Sequence, residues 1–179
     1  MMTDDRPLDV VTFGRGLEHM AEVGADLRGQ IGAMAAMTAA AGASSPQDVH
    51  NVATEHHAEL RSADLLPDDD FSDADGYTES TADDLRDRAQ SAADAYALEV
   101  DIARWTGRAS DGLDDLARAR FLLSFGGPNV WLDVSYHGES PDRVTLERFW
   151  GGDRDRAETE DPRALRIADD FVRAFFVID

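Results

Sequence analysis

SFGGPNVWLDVSYHGE, residues 124–139, carries the clearest pattern in this 179-residue chain. From Asn129 onward, Val130, Leu132, Val134 and Tyr136 alternate with Trp131, Asp133 and Ser135. A period of two is the signature of a strand with one apolar face. Gly126-Gly127-Pro128 before it is turn chemistry, and RFLLSF before that also reads as a strand. Downstream, HGESPD is a second turn and RVTLERFW a third strand. The reading is a three-stranded antiparallel meander.

Ser124 beside two glycines also raises the question of catalysis. A phosphate-cradling loop leads into a helix N-terminus and often carries a Lys; this one leads into a strand, and all 17 basic residues of the chain are Arg. A nucleophile elbow needs Gly two places before the Ser, where Leu122 stands. The stretch is therefore read as a hairpin turn.

Helices flank the meander on both sides. Leu17, Met20, Leu27, Ile31 and Met34 share one stripe of a helix reaching Ala41, with Gly42 as its stop. Ser45-Pro46 followed by Asp48 is a capping arrangement that opens a second helix to about Arg61. Thr81 with Asp84 opens a third, marked by Leu85, Ala89, Ala92, Tyr96, Val100 and Ala103 and ending near Trp105. A short helix is expected from Asp111 to about Ala119, a Gly and acid loop over 151–161, and a last helix from Pro162 with Leu165, Ala168, Phe171, Val172 and Phe175 inside. The fold class is α+β. Its organisation is an N-terminal helical segment (1–61), an acidic linker (62–82) and an α+β domain (83–179).

The formal net charge is −20, from 37 acids against 17 Arg. Such a field repels phosphates and anionic membrane, which argues against direct nucleic-acid binding or a membrane partner. Asp in large excess over Glu, with Arg replacing Lys, suits GC-rich coding and hydration in concentrated salt, as in a halophilic archaeon or its virus. Cysteine is absent, so thiol chemistry and disulfides are excluded. The acidic N-terminus lacks the basic start of an export signal, and the cytoplasm is the expected compartment.

Metal and cofactor chemistry find little support. His50 and His57 share a helix face but lie two turns apart, and His56 falls on the apolar side. DFSDADG around Asp73, Asp75 and Gly76 imitates a calcium loop, yet Phe71 replaces the first ligand and Ala82 the bidentate Glu. No metal site and no cofactor are predicted. Trp131 and Phe149 lie opposite the apolar strand face; cover by the N-terminal helices is the preferred reading, an exposed aromatic patch the alternative.

Residues 121–176 resemble small accessory proteins of plasmids and phages, in which a strand ending in Leu-Ser-Thr-Gly-Gly-Pro leads to an alternating strand, a turn, a strand ending near Asp-Trp and an aromatic helix. The matching parts are LLSFGGPNVWLDV, VTLERFW and FVRAFF, with Phe125 in place of the Thr and no Asp before Trp150. The resemblance implies a mobile-element setting where anti-restriction and anti-CRISPR inhibitors are common. The expected function is a non-enzymatic acidic binding protein that mimics nucleic acid toward a partner with a basic surface. Asp68, Asp69, Asp70, Asp73, Asp75, Glu79, Trp131 and Trp150 are its candidate contacts. The alternative is a salt-adapted structural or regulatory module forming a homodimer through helix 17–41; a metal-dependent hydrolase built on His50, His56 and His57 ranks third.

Overall fold

The structure, a computed structural model, describes residues 7–14, 16–62, 65, 79–104, 116–138 and 140–176. In chain order these form β1 (Val11–Phe13), α1 (Leu17–Ala41), α2 (Pro46–Glu55), α3 (His57–Ser62), α4 (Glu79–Asp94), β2 (Glu99–Arg104), β3 (Leu116–Ser124), β4 (Asn129–His137), β5 (Ser140–Trp150), β6 (Asp153–Thr159) and α5 (Pro162–Phe175). Two compact units result. A sheet unit comprises Met1–Arg28 and Leu98–Asp169, and a helical unit comprises Gly29–Ala97 and Asp170–Asp179.

The sheet is antiparallel and six-stranded, in the order β1-β6-β5-β4-β3-β2. This corrects the three-stranded meander. The three strands read from the sequence are present as β3, β4 and β5, β3 starting earlier at Leu116 and β5 at Ser140 inside the expected turn, but β6 extends one side, β2 the other, and β1 caps β6. The apolar face is built in rows. Phe121, Leu132, Leu146 and Ala157 stand in register across β3 to β6, and Ala119, Val134 and Val144 form the next row. All seven are fully buried. The first half of α1 lies against this face: a side chain at Gly24 would meet Thr12 and Val10, and Arg148 reaches Glu22 and Asp26. Ala164 and Ala168 of α5 are buried in the same unit.

Each missed strand has a physical reason. β2 was expected as the end of the third helix, but α4 stops at Asp94, where Tyr96 N–H bonds back to Ala93 O and tightens the last turn. Beyond it Val100 and Ile102 alternate with Glu99 and Asp101, and pairing with β3 overrides the helical spacing. Leu116–Ala119, read as the end of a helix because Ala, Arg and Leu favour helices, are strand β3. Residues 153–159 were read as loop because DRDRAET is almost all charged; in the sheet, alternate residues enter an ion-pair network on one face. β1 has three residues and no local signal beyond Val-Thr-Phe.

α1 spans its expected limits, its residues from Gly29 on belonging to the helical unit, and Gly42 N–H bonds to Thr38 O at its end. The second helix is broken in two. His56 leaves helical geometry (φ −116, ψ 26), and Thr54 Oγ donates to His50 O one turn earlier, a local competition that bends helices. The Ser45 cap forms as read: Asp48 N–H donates to Ser45 Oγ at 3.2 Å, and Ser45 Oγ to the Asp48 carboxylate at 2.8 Å. The Ser45 hydroxyl, with the hydroxyl and amide of Ser44, donates to the Asp48 carboxylate and holds it below its ordinary pKa. Ile31, Met34, Val49, Leu60, Leu85, Ala89 and Phe171 form the core here. Tyr96 OH donates to Gln30 at 2.7 Å and its ring meets Phe171 edge-on; burial pushes its phenol far above the usual range.

Candidate functional site

Residues facing away from the buried rows define the second face of the sheet, and it is charged. Asp101, Arg120, Asp133, Thr145 and Glu158 stand in register across five strands; Leu122, Trp131, Glu147 and Arg156 form the next row. Opposite charges therefore meet on neighbouring strands, where cross-strand pairs interact best. Arg118 reaches Asp101 at 3.0 Å, and Arg120 reaches Asp133 at 3.4 Å. Arg143 bonds Glu160 at 2.8 Å, Arg154 holds Glu147, and Arg156 holds Glu158. Trp131 lies beneath the Arg120 guanidinium, 4.1 Å from its ring centre, a cation–π contact.

Asp133 is the carboxylate the fold treats most harshly. Burial raises its pKa, and the nearby Arg120 and Arg118 offset that only in part. Glu147, 7% exposed, is held by Arg154 and lies within 3.9 Å of Arg156. With a guanidinium against each of these carboxylates, charge is fixed in place.

One end of the sheet is apolar and exposed. The β3–β4 turn, the β5–β6 turn, the start of β2 and the end of β1 all lie there, as the strand registers require. Phe125 (76% exposed), Phe149 and Trp150 (58%) lie at the two turns near the middle of the sheet, with Phe13 and Leu98 at its opposite edges. Both turns rely on glycine. Gly126 (φ 105), Gly127 (φ 127), Gly151 (φ 54) and Gly152 (φ 97) take backbone shapes that favour glycine. A Cβ on Gly127 would sit 3.4 Å from the Trp150 ring, so the absent side chain lets the tryptophan pack across the turn.

Ser124, the sequence's catalytic question, is part of that turn: its Oγ donates to Pro128 O at 3.0 Å, while Gly126 N–H donates to Asn129 Oδ1 at 3.2 Å. Trp131 and Trp150, read as partner contacts, belong to the sheet unit, on the charged face and at the apolar end respectively. Glu79 begins α4. Asp68, Asp69, Asp70, Asp73 and Asp75, and with them most of the acidic linker, lie outside the described residues. His50 and His56 are half-buried and His57 is exposed. Among the described residues, no three metal-binding side chains stand close enough to hold an ion. No helix among them is long and apolar enough to cross a membrane.

Sequence reasoning missed the Arg–carboxylate ladder and Phe125. The signal for the ladder is present in ARARF and DRDRAET, where Arg recurs every second residue, as on a strand face. Phe125 has no such signal, since it sits in the turn itself. The chain matches no family model, no curated protein and no solved structure.

Proposed function

We propose that this chain is a non-enzymatic acidic binding protein that occupies a basic, nucleic-acid-binding surface of a partner protein, with the helical unit as its charged element. An inhibitor of a restriction or CRISPR complex is the form suggested by the mobile-element resemblance. The supporting observation is how charge divides between the units. The helical unit holds 16 acids against 4 Arg, a net of −12; the sheet unit holds 21 against 13, a net of −8. In the sheet unit, Arg118, Arg120, Arg143, Arg148, Arg154 and Arg156 each face a carboxylate. In the helical unit, α4 buries Ala82, Leu85, Ala89 and Ala93 and turns Asp83, Asp84, Asp87 and Asp94 outward.

Negative charge on a helix face without a matching number of cations gives fast, salt-weakened association with a basic groove. At molar salt the Debye length is about 3 Å, so close contacts must then supply the affinity. Self-association through α1 has less support, because Leu27, Ile31 and Met34 of its stripe are buried within the chain. The test is retention of a nucleic-acid-processing complex from host extract on the immobilised protein, with release by added duplex DNA. The triple variant Asp83→Asn, Asp84→Asn, Asp87→Asn should retain less. Recovery of only its own chain, or a complex that DNA does not displace, would defeat the mimicry reading.

A further inference from the structure

We infer that β2, the terminal strand of the sheet, is a docking site that takes an extended segment of a protein partner as an added strand, with apolar and basic residues alternating along that segment. This rests on the reading of the chain as a protein-binding protein, but not on nucleic-acid mimicry.

Three observations carry it. The first is an open edge. β2 is last in the strand order, and among the described residues nothing pairs with its outer side, so alternate amides and carbonyls along Glu99–Arg104 face away from the sheet. At the far side β1 offers only three residues, whereas β2 offers six, with no Pro, Lys or Gly among them. Strand addition needs that length and those free backbone groups. The second is that the core rows run on into water. Phe121 and Ala119 of β3 are fully buried, yet their partners in register on β2 are not: Val100, opposite Phe121, is 37% exposed, and Ile102, opposite Ala119, is half-buried. Leu98, just before the strand, is exposed as well. An added strand places its own apolar side chains beside Val100 and Ile102 and lengthens both rows.

The third is register, which selects the occupant. On the other face of β2 the outermost charges are Glu99 and Asp101. Arg118 bonds Asp101 at 3.0 Å, and among the described residues no ion pair involves Glu99. The other charges at this edge are Arg104, at the end of β2, and Arg120, which stands opposite Asp101 and reaches Asp133 at 3.4 Å. Two-fold pairing of β2 with a second copy keeps like faces together. Centred on Val100 it sets Glu99 against Asp101, and centred on Asp101 it sets that acid against itself. Centred on Ile102 it runs through the bulged step between Ala103 and Arg104. A second copy is therefore opposed in every register, and a nucleic acid has no strand to add. A partner segment with Arg or Lys opposite Glu99 and aliphatic residues opposite Val100 and Ile102 meets neither obstacle.

The probe is a short synthetic peptide alternating Val and Arg, titrated into the full chain labelled with nitrogen-15. One control peptide has Glu in place of every Arg; a second keeps the Arg residues but is N-methylated at every amide, which preserves its charge and blocks strand pairing. In the free chain, alternate amides of Glu99–Arg104 should exchange quickly with deuterated solvent. The Val–Arg peptide should shift the β2 amides and slow that exchange, and neither control should do so. Glu99→Lys, at an exposed side chain, should weaken binding about fivefold, as loss of one exposed charge pair does. Glu99→Lys with Asp101→Lys is the second variant and should turn the preference toward the Glu peptide. Asp83→Asn with Asp87→Asn in the helical unit should leave this binding unchanged. Overturning results are β2 amides all protected before any peptide is added, shifts confined to α4 or β1, equal binding of the N-methylated peptide, or an unchanged preference in both Lys variants. The helical-unit variants affect the mimicry reading alone, so either idea can fail without the other.

Discussion

Phe121 and Phe125 are four residues apart, one in β3 and one in the turn after it, and the fold assigns them opposite fates. Phe121 is fully buried in the row with Leu132, Leu146 and Ala157. A buried Phe removes about 150–250 Å² from water, worth roughly 4–6 kcal/mol at ~25 cal/mol per Å². Truncation to Ala leaves part of that and adds a cavity, so Phe121→Ala should cost about 3–5 kcal/mol. Phe125 is 76% exposed, and Phe125→Ala should change stability by no more than about 0.5 kcal/mol. Urea unfolding followed by far-ultraviolet circular dichroism measures both, and the midpoint should move for the first variant only, at constant slope. A one-residue slip of β3 would carry Phe121 to the charged face. Comparable losses from the two variants, or a neutral Phe121→Ala, would therefore refute the register.

Three further outcomes follow from local geometry. Asp133→Asn should flatten one limb of the pH profile. The raised pKa of Asp133 means that its contribution is full below the unfolded value of 3.8 and lost as pH rises through the folded one, so the stability of the variant relative to the parent should be greatest near neutrality and shrink toward pH 4 in urea titrations at several pH values. Ser45→Ala removes the acceptor for the Asp48 amide and the donor to its carboxylate, and should lower thermal stability by about 1 kcal/mol, read by calorimetry. Gly127→Ala places a Cβ 3.4 Å from the Trp150 ring at φ +127; it should cost about 1–3 kcal/mol in urea unfolding and change Trp fluorescence.

The charged face and the acidic helices answer different needs. Exposed ion pairs contribute only about 0–1 kcal/mol each, so the ladder is a weak source of stability. What it does is settle register. A one-residue slip of β3 would turn Arg118 and Arg120 toward Leu132 and Leu146 while carrying Phe121 to the charged face, and would take from Asp133 the two guanidinium groups beside it. The ladder therefore opposes mispairing more than it strengthens the correct sheet. Among the described acids of the helical unit, Asp48 belongs to the α2 cap, Asp83 pairs with Arg86 and Asp94 accepts from Gln90, all local bonds apart from the core of Ile31, Met34, Leu60, Leu85 and Phe171. Their number is explained by solvent or by a partner, and the DNA-release experiment separates the two.

How much was legible in the sequence follows from the same physics. α1, α5, the Ser45 cap and β4 are readable because burial on one side leaves a period in the apolar residues, and local rules suffice for that. The sheet's edges are not readable in this way. β6 alternates Arg with Asp before reaching Ala157, so its period is one of charge. β2 is set by partners more than a dozen residues away, and its Val100 and Ile102 also satisfy a helical spacing after Leu85 and Ala89. Phe125 was hidden for another reason: periodicity reports only what a regular element buries, and an exposed turn aromatic is fixed by neither face. The end of the sheet that carries both glycine turns is thus visible only once those turns, separated by some twenty-five residues in the sequence, are brought together by the pairing of β3, β4, β5 and β6.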